Sequence, residues 1–84
     1  MLFEVRLKHR AEKELKRVPE RNRFRILYVL RNISKNPLVG KKLEGEYSGY
    51  YCIRSWPYRI IYKIFKEKRL IIIIRIGHRQ GVYK

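Results

Sequence analysis

Two blocks in the second half of the chain hold most of its chemically versatile side chains: Ser55-Trp56-Pro57-Tyr58-Arg59-Ile60-Ile61-Tyr62 and Ile76-Gly77-His78-Arg79-Gln80-Gly81-Val82-Tyr83. Arg59 and Arg79 each offer a planar fork that binds phosphate oxygens in pairs and stays charged. Histidine is the side chain whose ordinary pKa lies nearest neutrality, so His78 can donate or accept a proton. Tyr83 can stack on a nucleobase, a contact worth about 1–3 kcal/mol. Such a set suits metal-free cleavage of RNA by its own 2′-hydroxyl. That reaction needs the hydroxyl proton removed, charge stabilised on the phosphorane, and the leaving 5′-oxygen protonated. A positioned acid or base typically contributes about 10²–10⁴-fold, and preorganised cations are often the larger factor.

Each of these residues also has a plainer role open to it. Arg59 and Arg79 can be solvated cations in an arginine-rich chain, and Arg54 either a third cation at the site or an exposed rim charge. His78 can close a strand structurally, Tyr83 can be a frayed end, and His9, opening a helix, reads as surface. Tyr50, Tyr51 and Trp56 read as core or edge aromatics, and Cys52 as an inert strand residue.

Composition narrows the partners. Among 84 residues, 22 Lys and Arg face seven acidic residues, all of them glutamate, for a net charge of +15. Such a surface concentrates polyanions and speeds encounter with them. Nucleic acid is the expected partner, with a membrane surface as the rival and an acidic protein as a third possibility compatible with the first. Two histidines, one cysteine and no aspartate make no convincing metal cluster, and a two-metal nuclease needs several carboxylates. No phosphate-cradling glycine loop appears, so neither metal nor cofactor is expected. No stretch approaches the roughly 20 apolar residues of a membrane span, and the N-terminus lacks the order of a signal peptide. The lone Cys52 fits a reducing compartment, and the expected location is the cytoplasm. The length suits one domain, residues 1–84, which at this size buries only about 60% of its unfolded surface.

The elements that must position these residues follow from periodicity. Leu2 to Leu7 alternates, with Phe3, Val5 and Leu7 on one side, as in a half-buried strand. From Lys8 to Val18 the spacing of Ala11, Leu15 and Val18 is helical. Pro19 stops that helix and suits the start of the next, which runs from Glu20 to Ser34 with Ile26, Leu27, Leu30 and Ile33 as its stripe. Asn36-Pro37 ends it. Leu38 to Gly49 reads as a loop with a short extended piece at Leu43. Three strands follow: Tyr50–Ser55, then Tyr58–Phe65 after a Trp56-Pro57 turn, then Leu70–Ile76 after Lys66-Glu67-Lys68. The short connections predict an antiparallel meander. The expected fold is α+β, in the order β-α-α-β-β-β, with a helical hairpin packed on one face of an antiparallel sheet and the other face open. Along the middle strand, Tyr58, Ile60, Tyr62 and Ile64 share one side and Arg59, Ile61, Lys63 and Phe65 the other. Neither set is purely apolar, so the alternation leaves open which side carries Arg59 outward.

The blocks Tyr58-Arg59-Ile60-Ile61-Tyr62 and Gly77-His78-Arg79 followed by Val82-Tyr83 resemble the RelE/ParE superfamily of bacterial and archaeal toxins. The element order, Asn36-Pro37 and Lys42-Leu43-Glu44-Gly45 agree, so the resemblance spans essentially the whole chain. It implies a fold similar to small microbial ribonucleases. RelE-like members cut messenger RNA in the ribosomal A site, whereas ParE-like members inhibit DNA gyrase without nuclease activity. The Gly-His-Arg-x-x-Val-Tyr ending looks more like the RelE branch. Both branches are neutralised by a co-encoded antitoxin that wraps the toxin with an extended, helical segment. The resemblance therefore implies an endoribonuclease, or mRNA interferase, of a type II toxin–antitoxin system. It also implies a RelB-like antitoxin, the ribosome and mRNA as partners, and a 2′,3′-cyclic phosphate product. A gyrase inhibitor or an inactive homologue is the alternative. Arg59 matches the arginine on the scissile phosphate, Arg79 the arginine near the C-terminus and Tyr83 the base-stacking tyrosine. On the reading of the residues themselves, Arg54 assists, and His78 or Tyr83 carries the proton or orients the base. The chain departs from the pattern at Tyr50 and Cys52, where the best-known bacterial members carry a lysine pair. The basic helix residues Lys8, Arg10, Lys13, Lys16, Arg17, Arg21, Arg23 and Arg25 form either a solvated face or a grip on ribosomal RNA phosphates.

Overall fold

Val5 and Leu7 alternate with the exposed Glu4 and Arg6, and this pattern becomes the first strand, β1 (Glu4–Leu7). The computed structural model describes residues 2–78. After β1 come two helices, α1 (His9–Arg17) and α2 (Glu20–Lys35), separated at Val18-Pro19. Proline has no N–H to donate and its fixed φ suits a helix start, so the break falls there. A 3₁₀ turn at Pro37–Val39 leads into a short strand, β2 (Lys41–Lys42), and a second 3₁₀ turn at Gly45–Tyr47 leads to β3 (Tyr51–Ser55). Two further strands follow, β4 (Tyr58–Phe65) and β5 (Leu70–His78). The β3–β4 turn contains a cis Trp56-Pro57 bond.

The five strands form one sheet in the order β1-β5-β4-β3-β2. Strands β3, β4 and β5 make the expected antiparallel meander. β1 instead joins β5 in parallel, with Val5 opposite Ile71 and Leu7 opposite Ile73, so the sheet is mixed. Loop length carried no information about that pairing, because a helical hairpin and the meander separate the two strands. β2 pairs antiparallel with β3 just before Leu43, where the chain was expected to be extended. β5 continues two residues past its expected end, to His78.

The two helices cover one face of this sheet. Ala11 and Val18 of the first helical segment and Ile26, Leu30 and Ile33 of α2 pack with Ile60, Tyr62, Ile71, Ile73 and Ile76. Leu27, expected in that stripe, is 46% exposed. Residues 26, 29–30 and 33 recur at helical spacing on the buried side, and Leu27 lies about 100° round from Ile26. It forms instead an outward strip with Phe24 and Tyr28, which are 67% and 66% exposed.

A register shift between Ile61 and Tyr62 sets Arg75 opposite Ile61 and Ile73 opposite Tyr62, leaving Ile74 unmatched. Ile73 and Ile76 therefore both reach the helix-side core, while Ile74 packs on the opposite face with Cys52 and Ile61. Arg75 turns to α1, where its Nε and Nη2 each lie 3.0 Å from Glu14 Oε2. Glu14 Oε1 also accepts from the Ile76 amide at 2.9 Å. One largely buried carboxylate thus satisfies a guanidinium and a backbone donor, and it ties α1 to the sheet.

Candidate functional site on the open face of the sheet

β4 decides which way Arg59 points. Tyr58, Ile60, Tyr62 and Ile64 face the helices, and Ile61 faces away with Cys52. Tyr62 is fully buried, yet its hydroxyl is satisfied: it donates to the Pro37 carbonyl at 2.7 Å and accepts from the Gly40 amide at 3.0 Å. Its ring stacks on Tyr51, with centroids 5.6 Å apart. Burial raises the Tyr62 pKa above the ordinary value, and the Gly40 amide opposes that rise. With the tyrosine side inward, Arg59 belongs to the opposite, solvent-facing side.

Arg54 stands directly opposite Arg59 across the β3–β4 ladder. Residues so paired share a face, with β-carbons about 4.5–5.5 Å apart. On the other side of Arg59 its partner is Gly77, so no β5 side chain crowds the guanidinium at that level. A cleft of about 120 Å³ is lined by Lys41, Leu43, Cys52, Arg54 and Arg59. Among the described residues, no acidic side chain lines it. Below it Cys52 and Ile61 pack with Leu43, Tyr50 and Ile74 to form an apolar floor. Farther along, Lys63 Nζ lies 5.7 Å from the Tyr50 ring centroid and 5.4 Å from that of Phe65.

The structure brings Arg54 and Arg59 together and sets His78 apart from them. His78 is paired with Tyr58, and the two rings meet edge to face at 6.0 Å. That places the imidazole on the helix side, beside a shallow cleft lined also by Glu14, Arg17 and Arg75. Arg79 and Tyr83 lie outside the described residues. Cys52 is buried and Tyr50 half-buried, so the positions aligned with the lysine pair supply floor rather than charge. Trp56, at the tip of the β3–β4 hairpin, is 61% exposed, which leaves the edge and not the core reading of this aromatic. Lys41 was missed because its strand is only two residues long, too short for any periodicity. Gly40 was the available signal, since a glycine beside a strand marks a close approach of backbone.

Chemically, opposed arginines on an open β surface can bind an anion. Like charges placed directly opposite destabilise a strand pair, and a bound phosphate removes that repulsion.

Comparison with known proteins agrees with this architecture. A family model described as the ParE toxin of the type II toxin–antitoxin system parDE matches residues 5–83. The chain is 31% identical over 86 residues to toxin RelG of Mycobacterium tuberculosis, covering 100% of this chain and 99% of that protein. It is 30% identical over 89 residues to RelE1 of Methanocaldococcus jannaschii, covering 100% and 98%. Its backbone matches a chain in the crystal structure of the toxin–antitoxin complex RelBE2 from Mycobacterium tuberculosis with a TM-score of 0.87. That match has 31% identity and covers 94% of this chain and 93% of the other. With the family model matched over nearly its whole length and relatives aligned end to end, the chain belongs to the RelE/ParE superfamily of type II toxins.

Proposed function

We propose that this toxin is an endoribonuclease that cuts messenger RNA in the ribosomal A site by metal-free attack of the 2′-hydroxyl on the adjacent phosphate. The observation that carries this reading is the Arg54–Arg59 pair on the open face of the sheet, in a cleft with cationic but no acidic lining among the described residues. In the reaction the 2′-oxygen bonds to phosphorus, the bond to the 5′-oxygen breaks, and the products are a 2′,3′-cyclic phosphate and a 5′-hydroxyl. Arg59 and Arg54 hold the non-bridging oxygens and stabilise the charge that grows on them. Of the two candidates for proton transfer, Tyr83 takes the role, because His78 meets Tyr58 on the helix side of the sheet; Arg79 is a further cation. The RelE1 name of one full-length relative and the RelBE2 name of the matched complex support this branch of the family.

The partner that restrains it is an acidic, RelB-like antitoxin. The exposed strip Phe24, Leu27 and Tyr28 on α2 supports a helical partner, because it spaces apolar anchors at i, i+3 and i+4. Arg21, Arg23, Arg25 and Arg31 flank the strip and favour an acidic occupant.

The name of the matching family model favours a second reading, inhibition of DNA gyrase without catalysis. The two separate in one experiment. Purified toxin is added to ribosomes programmed with a defined message, and cuts are mapped by primer extension. Cuts within the A-site codon that vanish when ribosomes are omitted establish the nuclease. Intact message together with blocked supercoiling by gyrase establishes the alternative.

A further inference from the structure

Lys41 lies on the edge strand β2, directly opposite Cys52. The two side chains therefore share a face. Cys52 and Arg54 are two residues apart on β3 and share that same face, and Arg59 stands opposite Arg54. Positions 41, 52, 54 and 59 thus form one patch across three adjacent strands, about 4.8 Å from strand to strand. Lys41 is two strands from Arg59 and displaced from it by two residues, which puts their backbones about 12 Å apart. Side chains of this length approach one phosphate group from opposite sides across that span. The same three cations line the 120 Å³ cleft.

The backbone beneath Lys41 is held on both sides. Gly40 donates its amide to Tyr62, whose hydroxyl donates to Pro37. A β-carbon at residue 40 would collide with that hydroxyl, so only glycine permits the approach. On the other side the Leu43 amide donates to the Tyr50 carbonyl at 2.9 Å, extending the ladder. A buried clamp on one face of the sheet thus sets the position of a cation on the other. Lys42 points the opposite way, since its partner is Tyr51 of the helix-side core.

We propose that Lys41 is the third phosphate-binding cation of the open-face site, acting with Arg54 and Arg59 on the substrate phosphate. This deepens the nuclease reading and rests on it for the rate effect. Its ammonium supplies three donors and no acceptor. It adds charge to the non-bridging oxygens from the β2 side, which the two arginines do not cover.

The test compares wild type, Lys41→Ala, Lys41→Arg, Lys42→Ala and the double variant Lys41→Ala/Cys52→Lys. Single-turnover cleavage on programmed ribosomes is one readout. Lys41→Ala is expected to slow cleavage at saturating enzyme by about 10²-fold, the scale of removing one preorganised charge donor. Lys41→Arg and Lys42→Ala should stay within a few-fold of wild type. The double variant, which returns an amine to the directly opposite position, should recover most of the loss. The second readout does not need catalysis. A 2′-O-methyl trinucleotide, which cannot be cut, is titrated into the protein while the side-chain nitrogen signals of Lys41, Arg54 and Arg59 are followed by NMR. All three signals should move together, and Lys41→Ala should weaken binding about tenfold. A cutting wild type in which Lys41 neither moves nor matters overturns the proposal and leaves the nuclease reading intact. Concerted movement of the three signals in a protein that cuts nothing overturns the nuclease reading and keeps the phosphate site.

Discussion

Arg59 and Arg54 are paired across two strands of like charge, an arrangement that opposes folding by a few tenths to about 1 kcal/mol. A pair kept at that cost for an anion has a recognisable signature under mutation. Arg54→Ser should leave the unfolding midpoint unchanged or raise it, while lowering cleavage; a marked drop in midpoint would instead make Arg54 a structural residue. His78 makes a contrasting case at the same scale. Its ring meets Tyr58 on the helix side of the sheet, so His78→Ala should reduce cleavage less than tenfold, a smaller loss than a positioned acid or base supplies. A loss above a hundredfold in a folded variant would place the proton on His78 and require substrate to reach round the end of β5. Tyr62 carries the clearest stability prediction. Tyr62→Phe takes a partner from the half-buried Pro37 carbonyl and Gly40 amide, and should destabilise the fold by about 1 kcal/mol. The pH dependence has a definite sign. Burial raises the Tyr62 pKa, so the folded chain holds this proton more tightly than the unfolded one. The contribution is complete below about pH 10, the ordinary tyrosine value. It is lost as pH rises through the raised, folded value. Denaturant titrations at pH 8 to 11 on wild type and Tyr62→Phe isolate that loss as their difference.

At the scale of elements, β4 shows what the sequence displays and what it withholds. Its alternation separated Arg59 from Tyr58, Ile60 and Tyr62 correctly, because a strand has period two whatever surrounds it. Which set met the helices depended on Tyr62, whose polar end is satisfied by groups 22 and 25 residues away in sequence. No local pattern contains that information. The helices and the three meander strands were legible for the same reason as the alternation: each is long enough to repeat. β2 is not, and Lys41 stayed hidden in what read as loop. The parallel pairing of β1 was hidden differently, since strand direction is readable only across short connections. On α2 the buried stripe was nearly right, and the misassigned Leu27 exposes a second, outward strip. Its prediction concerns binding. Phe24→Glu and Tyr28→Glu should weaken antitoxin association at least tenfold, because a carboxylate would then face an apolar, acidic partner, with secondary structure by circular dichroism unchanged. Calorimetry with the purified antitoxin checks this, and undiminished affinity would put the antitoxin on another face.

The whole molecule carries a net charge of +15 on 84 residues, far more than three site cations require. On the proposed reading the excess serves a grip on ribosomal RNA, where each neutralised phosphate steepens the dependence of affinity on salt. For single strands the slope of log affinity against log salt is about −0.7 per phosphate contacted. Lys13→Gln combined with Lys16→Gln on α1 should therefore make the slope shallower by about one to two units. The cleavage step at saturation should stay unaltered. An unchanged slope would remove α1 from the ribosome contact. The account as a whole depends on one claim, that opposed cations on the open sheet face hold a phosphate while RNA is cut. The most direct measurement is single-turnover cleavage of a programmed message by wild type and by Arg59→Ala, with the chemistry of the new 3′ end determined in the same reaction. The account predicts A-site cuts ending in a 2′,3′-cyclic phosphate, and a loss of at least about 10²-fold in the folded variant. Equal rates for the two proteins, or no cuts by folded wild type, would contradict it.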